Sequence, residues 1–197
     1  MTSFLIQQKI TAFANQYRIF ESADGHAGQL LAFAHQKRLA LRENIIFYKD
    51  ETKQEVLFQL KTPHVIEIAA TYEVYDDQDN ALGRLKKEFS ASLVRSTWHI
   101  YSPQQETPCA IAQERNLPTA LLRRVWGFVP FIGELPFILK YHFDFIDPAD
   151  KSALGNYTKV TLFRDHYRLD ASKALLEKCD WRVLVALGVC LDALQSR

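Results

Sequence analysis

Apolar and polar residues alternate with a period of two along most of the chain. From His64 to Val74 one face carries His64, Ile66, Ile68, Ala70, Tyr72 and Val74. The other carries Val65, Glu67, Ala69, Thr71 and Glu73. This is the pattern of a half-buried strand. Val56, Phe58 and Leu60 alternate with Glu55, Leu57, Gln59 and Lys61, and Phe163, Tyr167 and Leu169 with Arg164, His166 and Arg168. Between Phe89 and Ile100 the apolar set changes phase, and a bulge near Leu93–Val94 reconciles the two halves.

A repeat organises these strands. Tyr17–Gly28 aligns with Tyr72–Gly83, and Phe143–Gly155 is a third copy with one extra residue. Each copy reads as a short strand, an Asp-centred turn, then a Gly opening the next strand. Asp, Asn and Gly tolerate the backbone angles of tight turns. Phe47–Val56 is a weaker copy. The repeat predicts serial hairpins and argues for one domain over residues 1–197.

Two segments break the alternation. In 117–139, Pro118 suits the first turn of a short helix, with Leu121, Leu122, Val125 and Trp126 on one face and Arg123 and Arg124 on the other. Gly127 ends it, and the prolines of 128–138 forbid a regular helix beyond. The second is the C-terminal stretch. Ser172–Cys179 is helix-friendly, Asp180 is a good N-cap, and a helix over about 180–195 follows. Nothing between Val183 and Leu191 is charged. A helix apolar all round must be buried all round. A flat sheet covers one side of it, whereas a closed sheet covers every side and removes exposed edges. Fourteen residues at 1.5 Å each span roughly 21 Å, a sensible barrel height. The expected fold is mainly β: a single closed antiparallel barrel around a buried C-terminal helix. Gly188 suits a close strand approach, and the helix leaves no lipocalin-like cavity.

The repeated Tyr-x-Val-Tyr-Asp…Gly hairpins and the terminal Trp-Arg-x-Leu-x-Ala-Leu…Asp helix resemble the LURP-one-related proteins of the tubby C-terminal-like superfamily, which includes phospholipid scramblases. The resemblance runs from Phe4 to Leu194. It implies about 12 strands around a central helix. Tubby domains bind phosphoinositide headgroups through basic residues; the resemblance assigns no individual position here. The chain stops at Arg197, directly after the helix, without the acidic calcium-binding stretch of scramblases, which argues against scrambling.

Composition narrows the function. Lys+Arg is 24 and Asp+Glu 23, a net charge of +1, so no overall field attracts nucleic acid. The N-terminus turns polar before a signal-peptide core forms, and the apolar run of 181–194 is too short to span a bilayer. The 3 Cys, at 109, 179 and 190, show neither a disulfide framework nor CxxC metal spacing. A reducing, cytoplasmic setting follows as the expectation. Cys190 reads as core; Cys109 and Cys179 would need a base and a polar, accessible pocket to act as nucleophiles, the less favoured reading. P-loop, GxGxxG, HExxH and GxSxG motifs are absent, and the six His form no i,i+4 pair. Asp77, Asp79 and Glu88 occupy three positions of a calcium loop, but Ala81 and Leu82 stand where it needs an oxygen ligand and Gly. A hairpin turn explains these acids better. No catalytic residue, metal or cofactor is expected.

The remaining candidates are basic. Arg84, Lys86 and Lys87 follow the second turn; Lys37, Arg38 and Arg42 precede it; Arg123 and Arg124 abut Trp126, Phe128, Phe131 and Ile132. Cations beside exposed aromatics grip anionic membrane surfaces. The competing reading has these aromatics capping a barrel mouth with the arginines solvated. The expected function is a non-enzymatic binding module for anionic phospholipid or phosphoinositide headgroups, with Arg123, Arg124, Trp126, Phe128, Phe131, Arg84, Lys86 and Lys87 as lipid-binding residues. The alternative is a protein-interaction scaffold using 125–138, and the least favoured is an enzyme with a site on the barrel rim.

Overall fold

The computed structural model describes residues 1–10, 14–23, 25–37, 44–61, 71–88, 96–115, 142–161 and 166–195. Among them are twelve strands and two helices: β1 (Thr2–Ile10), β2 (Ala14–Ala23), β3 (His26–Lys37), β4 (Ile45–Tyr48), β5 (Val56–Lys61), β6 (Thr71–Asp76), β7 (Ala81–Lys87), β8 (Thr97–Tyr101), β9 (Ala110–Glu114), β10 (His142–Ile146), β11 (Ala153–Lys159), β12 (His166–Ala171), α1 (Lys173–Lys178) and α2 (Trp181–Gln195). Each strand pairs antiparallel with its sequence neighbours. β1 pairs with β12 from Thr2↔Ala171 to Gln7↔His166 and closes the barrel. The expected architecture stands.

The hairpins fall where the repeat places them. Residues 17–28 join β2 to β3, 72–83 join β6 to β7, 143–155 join β10 to β11, and the weaker copy joins β4 to β5. Side-chain carboxylates seed the turns. Asp76 accepts from the Gln78 and Asn80 amides at 2.9 and 2.8 Å, and Asp147 from the Ala149 amide at 2.9 Å. Left-handed turn positions go to Gly25, Lys53, Asp79 and Lys151, so two lysines occupy sites that turn chemistry assigns to Gly, Asn or Asp. At Gly155 a Cβ would run into the Asp170 carbonyl on β12, which explains the glycine after the third turn.

The period-two faces point inward as expected. Phe58 and Leu60 of β5, Val74 of β6, Trp98 and Ile100 of β8, and Tyr167 and Leu169 of β12 are buried. Val56 departs from its face: it sits beside the β4–β5 turn and is 37% exposed. The phase change expected at 93–94, residues 62–70 of the long strand reading, and Phe163 lie outside the described residues. Bulges are found in described hairpins, as at Ile19/Phe20 and Val74/Tyr75.

α2 fills the barrel. Every residue from Val183 to Ala193 is buried. Gly188 permits this: a Cβ there would come to 2.8 Å from Ile6 Cδ1 of β1 and 3.0 Å from the Tyr157 ring of β11. Tyr157 donates its hydroxyl to the Gly188 carbonyl at 2.9 Å. The one charged side chain between Val183 and Ala193 of α2, Asp192, is 5% exposed. It accepts from the hydroxyls of Tyr17 (2.8 Å) and Tyr167, so two strands fix the helix's rotation. A buried carboxylate is tolerated when it is hydrogen-bonded in this way.

Candidate functional site

Alternating strand directions give the barrel two chemically distinct rims. β1, β3, β5, β7, β9 and β11 begin at one rim, where β12 ends and α2 starts. At this elbow rim lie the hairpin turns, α1 and the α1–α2 elbow. The opposite rim holds Lys86 and Lys87 at the end of β7 and Lys159 at the end of β11.

The proposed basic cluster is divided by the strand pleat. Arg84 and Lys86 share the outer face, whereas Lys87 follows the inward parity of Gly83 and Leu85 and lies over the Trp98 ring at 5.9 Å. Arg84 is engaged toward the elbow rim. It donates to the Gln105 carbonyl at 2.6 Å, lies 3.5 Å from the Glu106 carboxylate and covers the Tyr101 ring at 4.8 Å. Lys86 is exposed. Arg123, Arg124, Trp126, Phe128 and Phe131, and with them the choice between membrane loop and mouth cap, lie outside the described residues. So do Arg38 and Arg42. Arg115 and His142, which flank 116–141, sit at the rim opposite the elbow. The Arg115 amide donates to the His142 carbonyl there at 2.8 Å.

The acids that mimic a calcium loop serve the turn. Asp79 accepts from Gln59 and Lys61 at 3.0 and 2.8 Å. Hydrogen bonds from Asn80 hold the Asp76 carboxyl below the usual carboxylate range. No cluster of His, Cys, Asp and Glu suited to a metal ion occurs among the described residues.

The elbow rim corrects the cysteine reading. Cys109 and Cys179 form a disulfide with Cα atoms 6.7 Å apart. They are 70 residues apart in sequence, and closure of the barrel brings the β8–β9 hairpin to the elbow. Neither is a free nucleophile. Cys190 is the buried core thiol expected, its pKa pushed up to about 12 by burial. The same elbow is tied twice more: Ser102 donates to the Lys178 carbonyl at 2.5 Å, and Lys178 pairs with Asp147. That ammonium holds the Asp147 carboxyl below the ordinary range.

Local sequence builds the elbow. The Ser172 hydroxyl caps α1 by accepting from the Leu175 amide at 3.1 Å, and Leu175 is buried. Asp180 accepts from the Arg182 amide at 2.8 Å and caps α2. The same carboxylate takes the Arg182 guanidinium at 3.1 and 2.8 Å, which raises the arginine's pKa. Between this elbow and β1–β3 opens a cleft of about 490 Å³ lined by Thr2, Phe4, Glu21, Leu31, Leu176, Asp180 and Trp181. Trp181 stacks on Phe4 at 5.8 Å and meets Phe58 edge-on at 6.1 Å. The volume is that of a small-molecule site. Sequence reading missed it because its residues come from three strands and an elbow.

A barrel of serial hairpins threaded by its own C-terminal helix is now in view, and comparison with known families gives it a place. A model of the LURP-one-related family matches residues 31–192. The chain belongs to the LURP-one-related family. The match takes in β3 to β12 and the helix through Asp192. No curated protein matches the chain. No helix among the described residues is long and apolar enough to cross a membrane.

Proposed function

We propose that this LURP-one-related barrel is a non-catalytic binding module that docks peripherally on an anionic membrane surface. The contrast between the two rims carries the reading. The elbow-rim turns carry more acids (Asp50, Glu51, Asp76, Asp77, Asp147 and Asp150) than cations (Lys49, Lys53 and Lys151). The opposite rim bears Lys86, Lys87 and Lys159, and the further candidates Arg123, Arg124, Trp126, Phe128 and Phe131 belong to the sequence between β9 and β10. Lys and Arg attract anionic headgroups, Arg with bidentate bonds to phosphate, while aromatics enter the interface. α2 occupies the interior, so binding falls to the outer wall and the rims.

Liposome co-sedimentation tests this with phosphatidylcholine vesicles, vesicles containing phosphatidylserine and vesicles containing a phosphoinositide, at low and high salt. The expected result is binding to anionic vesicles alone, weakened by salt, lost on Arg123→Glu/Arg124→Glu and reduced by Lys86→Glu. The elbow-rim control Lys173→Glu leaves binding intact. No binding under any condition overturns the reading. Salt-insensitive self-association through 125–138 would replace it with a protein-interaction scaffold.

A further inference from the structure

We propose that the elbow-rim cleft is a binding site for a small organic cation with an apolar body, such as an aryl or alkyl amine. This site lies at the rim away from the membrane-docking face, so either proposal can fail without the other.

The cleft is built from positions that the fold aims into it. Thr2 and Phe4 follow the inward parity of Ile6 on β1. Phe4 pairs across the ladder with Glu21, which continues the inward parity of Tyr17 and Ile19 on β2. Glu21 is exposed and stands at the rim, where the series that buries Tyr17 and Ile19 runs out to solvent. Leu31 arrives by a bulge. Ile19 pairs with Ala32 and Phe20 with Leu30, so Leu31 is the extra residue of β3. Bulges re-aim side chains beside functional sites. Opposite these, the elbow supplies Leu176, Asp180 and Trp181. The disulfide and the Ser102 and Lys178 contacts hold that wall in place, so the cleft is preformed.

Charge selects the ligand. Asp180 is balanced by its bidentate pair with Arg182. Glu21 has no ion-pair partner among the described residues. The cleft is thus an apolar slot with the Trp181 indole, one carboxylate without an ion pair and the Thr2 hydroxyl. An aryl or alkyl body covers Phe4, Leu31, Leu176 and Trp181, while an ammonium reaches Glu21. A cation near the Trp181 face gains further attraction from the ring. An anion of the same shape meets Glu21 unfavourably.

The test is calorimetric titration of the full chain with three isosteric probes: 1-naphthylmethylamine, 1-naphthalenemethanol and 1-naphthoic acid. The amine is expected to bind best, the alcohol more weakly and the acid least. Glu21→Gln, at an exposed position that leaves the fold intact, should weaken the amine roughly fivefold, the worth of a solvent-accessible ion pair, and leave the alcohol unchanged. Leu176→Arg should abolish binding of all three by filling the slot. Circular dichroism confirms that each variant is folded. The proposal is overturned if the acid binds as tightly as the amine, if Glu21→Gln leaves the amine's advantage intact, if Leu176→Arg has no effect, or if no probe binds at millimolar concentration.

Discussion

Opening the Cys109–Cys179 bond should destabilise the barrel through the unfolded chain rather than through lost contacts. In the folded protein the elbow keeps its position without the bond, because Ser102 and the Lys178–Asp147 pair hold it. Cys179 is 4% exposed and remains a small apolar side chain when reduced. The effect therefore lies in loop closure. With a sequence separation of 70 between the cysteines, the chain-entropy relation gives about 4.4 kcal/mol at 25 °C as an upper figure, and about 3 kcal/mol is expected once residual structure in the unfolded chain is allowed for. The assay is urea unfolding of the oxidised protein, the reduced protein and Cys109→Ala/Cys179→Ala. The crosslinked unfolded chain exposes less surface, so the m-value should rise on reduction as the midpoint falls. Thiol titration provides the control. The oxidised protein should show no reactive thiol when native, because Cys190 is buried with its pKa near 12, and one thiol when unfolded. Three thiols in the unfolded protein, or a stability difference below about 1 kcal/mol, would refute the reasoning. The same titration on protein trapped inside cells reports directly on the compartment, since cytosolic conditions keep most thiols reduced.

Two further outcomes follow from the interior and the elbow. Asp192→Ala removes the acceptor of two buried tyrosine hydroxyls and should cost about 2–4 kcal/mol in denaturant unfolding, with Asp192→Asn costing less; an alanine variant within about 0.5 kcal/mol of wild type would show that the tyrosines do not orient the helix. Lys178 depresses the folded pKa of Asp147, so this pair's contribution to stability is full above the unfolded carboxylate pKa and disappears as pH falls through the lower folded value. Asp147→Asn should therefore flatten the acid limb of a Tm-versus-pH curve and leave the shape near neutrality unchanged, and an unaltered acid limb would sink the assignment.

Much of this architecture can be read from local pattern. Alternation marks strands because successive side chains leave a strand on opposite sides, so the burial of Phe58, Leu60, Tyr167 and Leu169 is a local consequence. The hairpins are equally local, since Asp76 and Asp147 bond amides only a few residues away. The apolar circumference of 183–191 demands an enclosing wall, and the rest of the chain offers mostly strands to form it. Gly188 was visible as an anomaly in a helix, though its partners Ile6 and Tyr157 were not. What lay beyond reach depends on which distant elements meet. Cys109 and Cys179 look like unrelated thiols until the barrel closes and places the β8–β9 hairpin against the elbow. Arg84, Lys86 and Lys87 look like one patch until the pleat sends Lys87 inward and the β8–β9 loop claims Arg84. The cleft is the clearest case. Glu21, Leu31 and Trp181 share no spacing or motif. They converge because β1–β3 meet a helical elbow formed 150 residues further along the chain, roughly speaking, and non-local closure of that kind leaves no local trace.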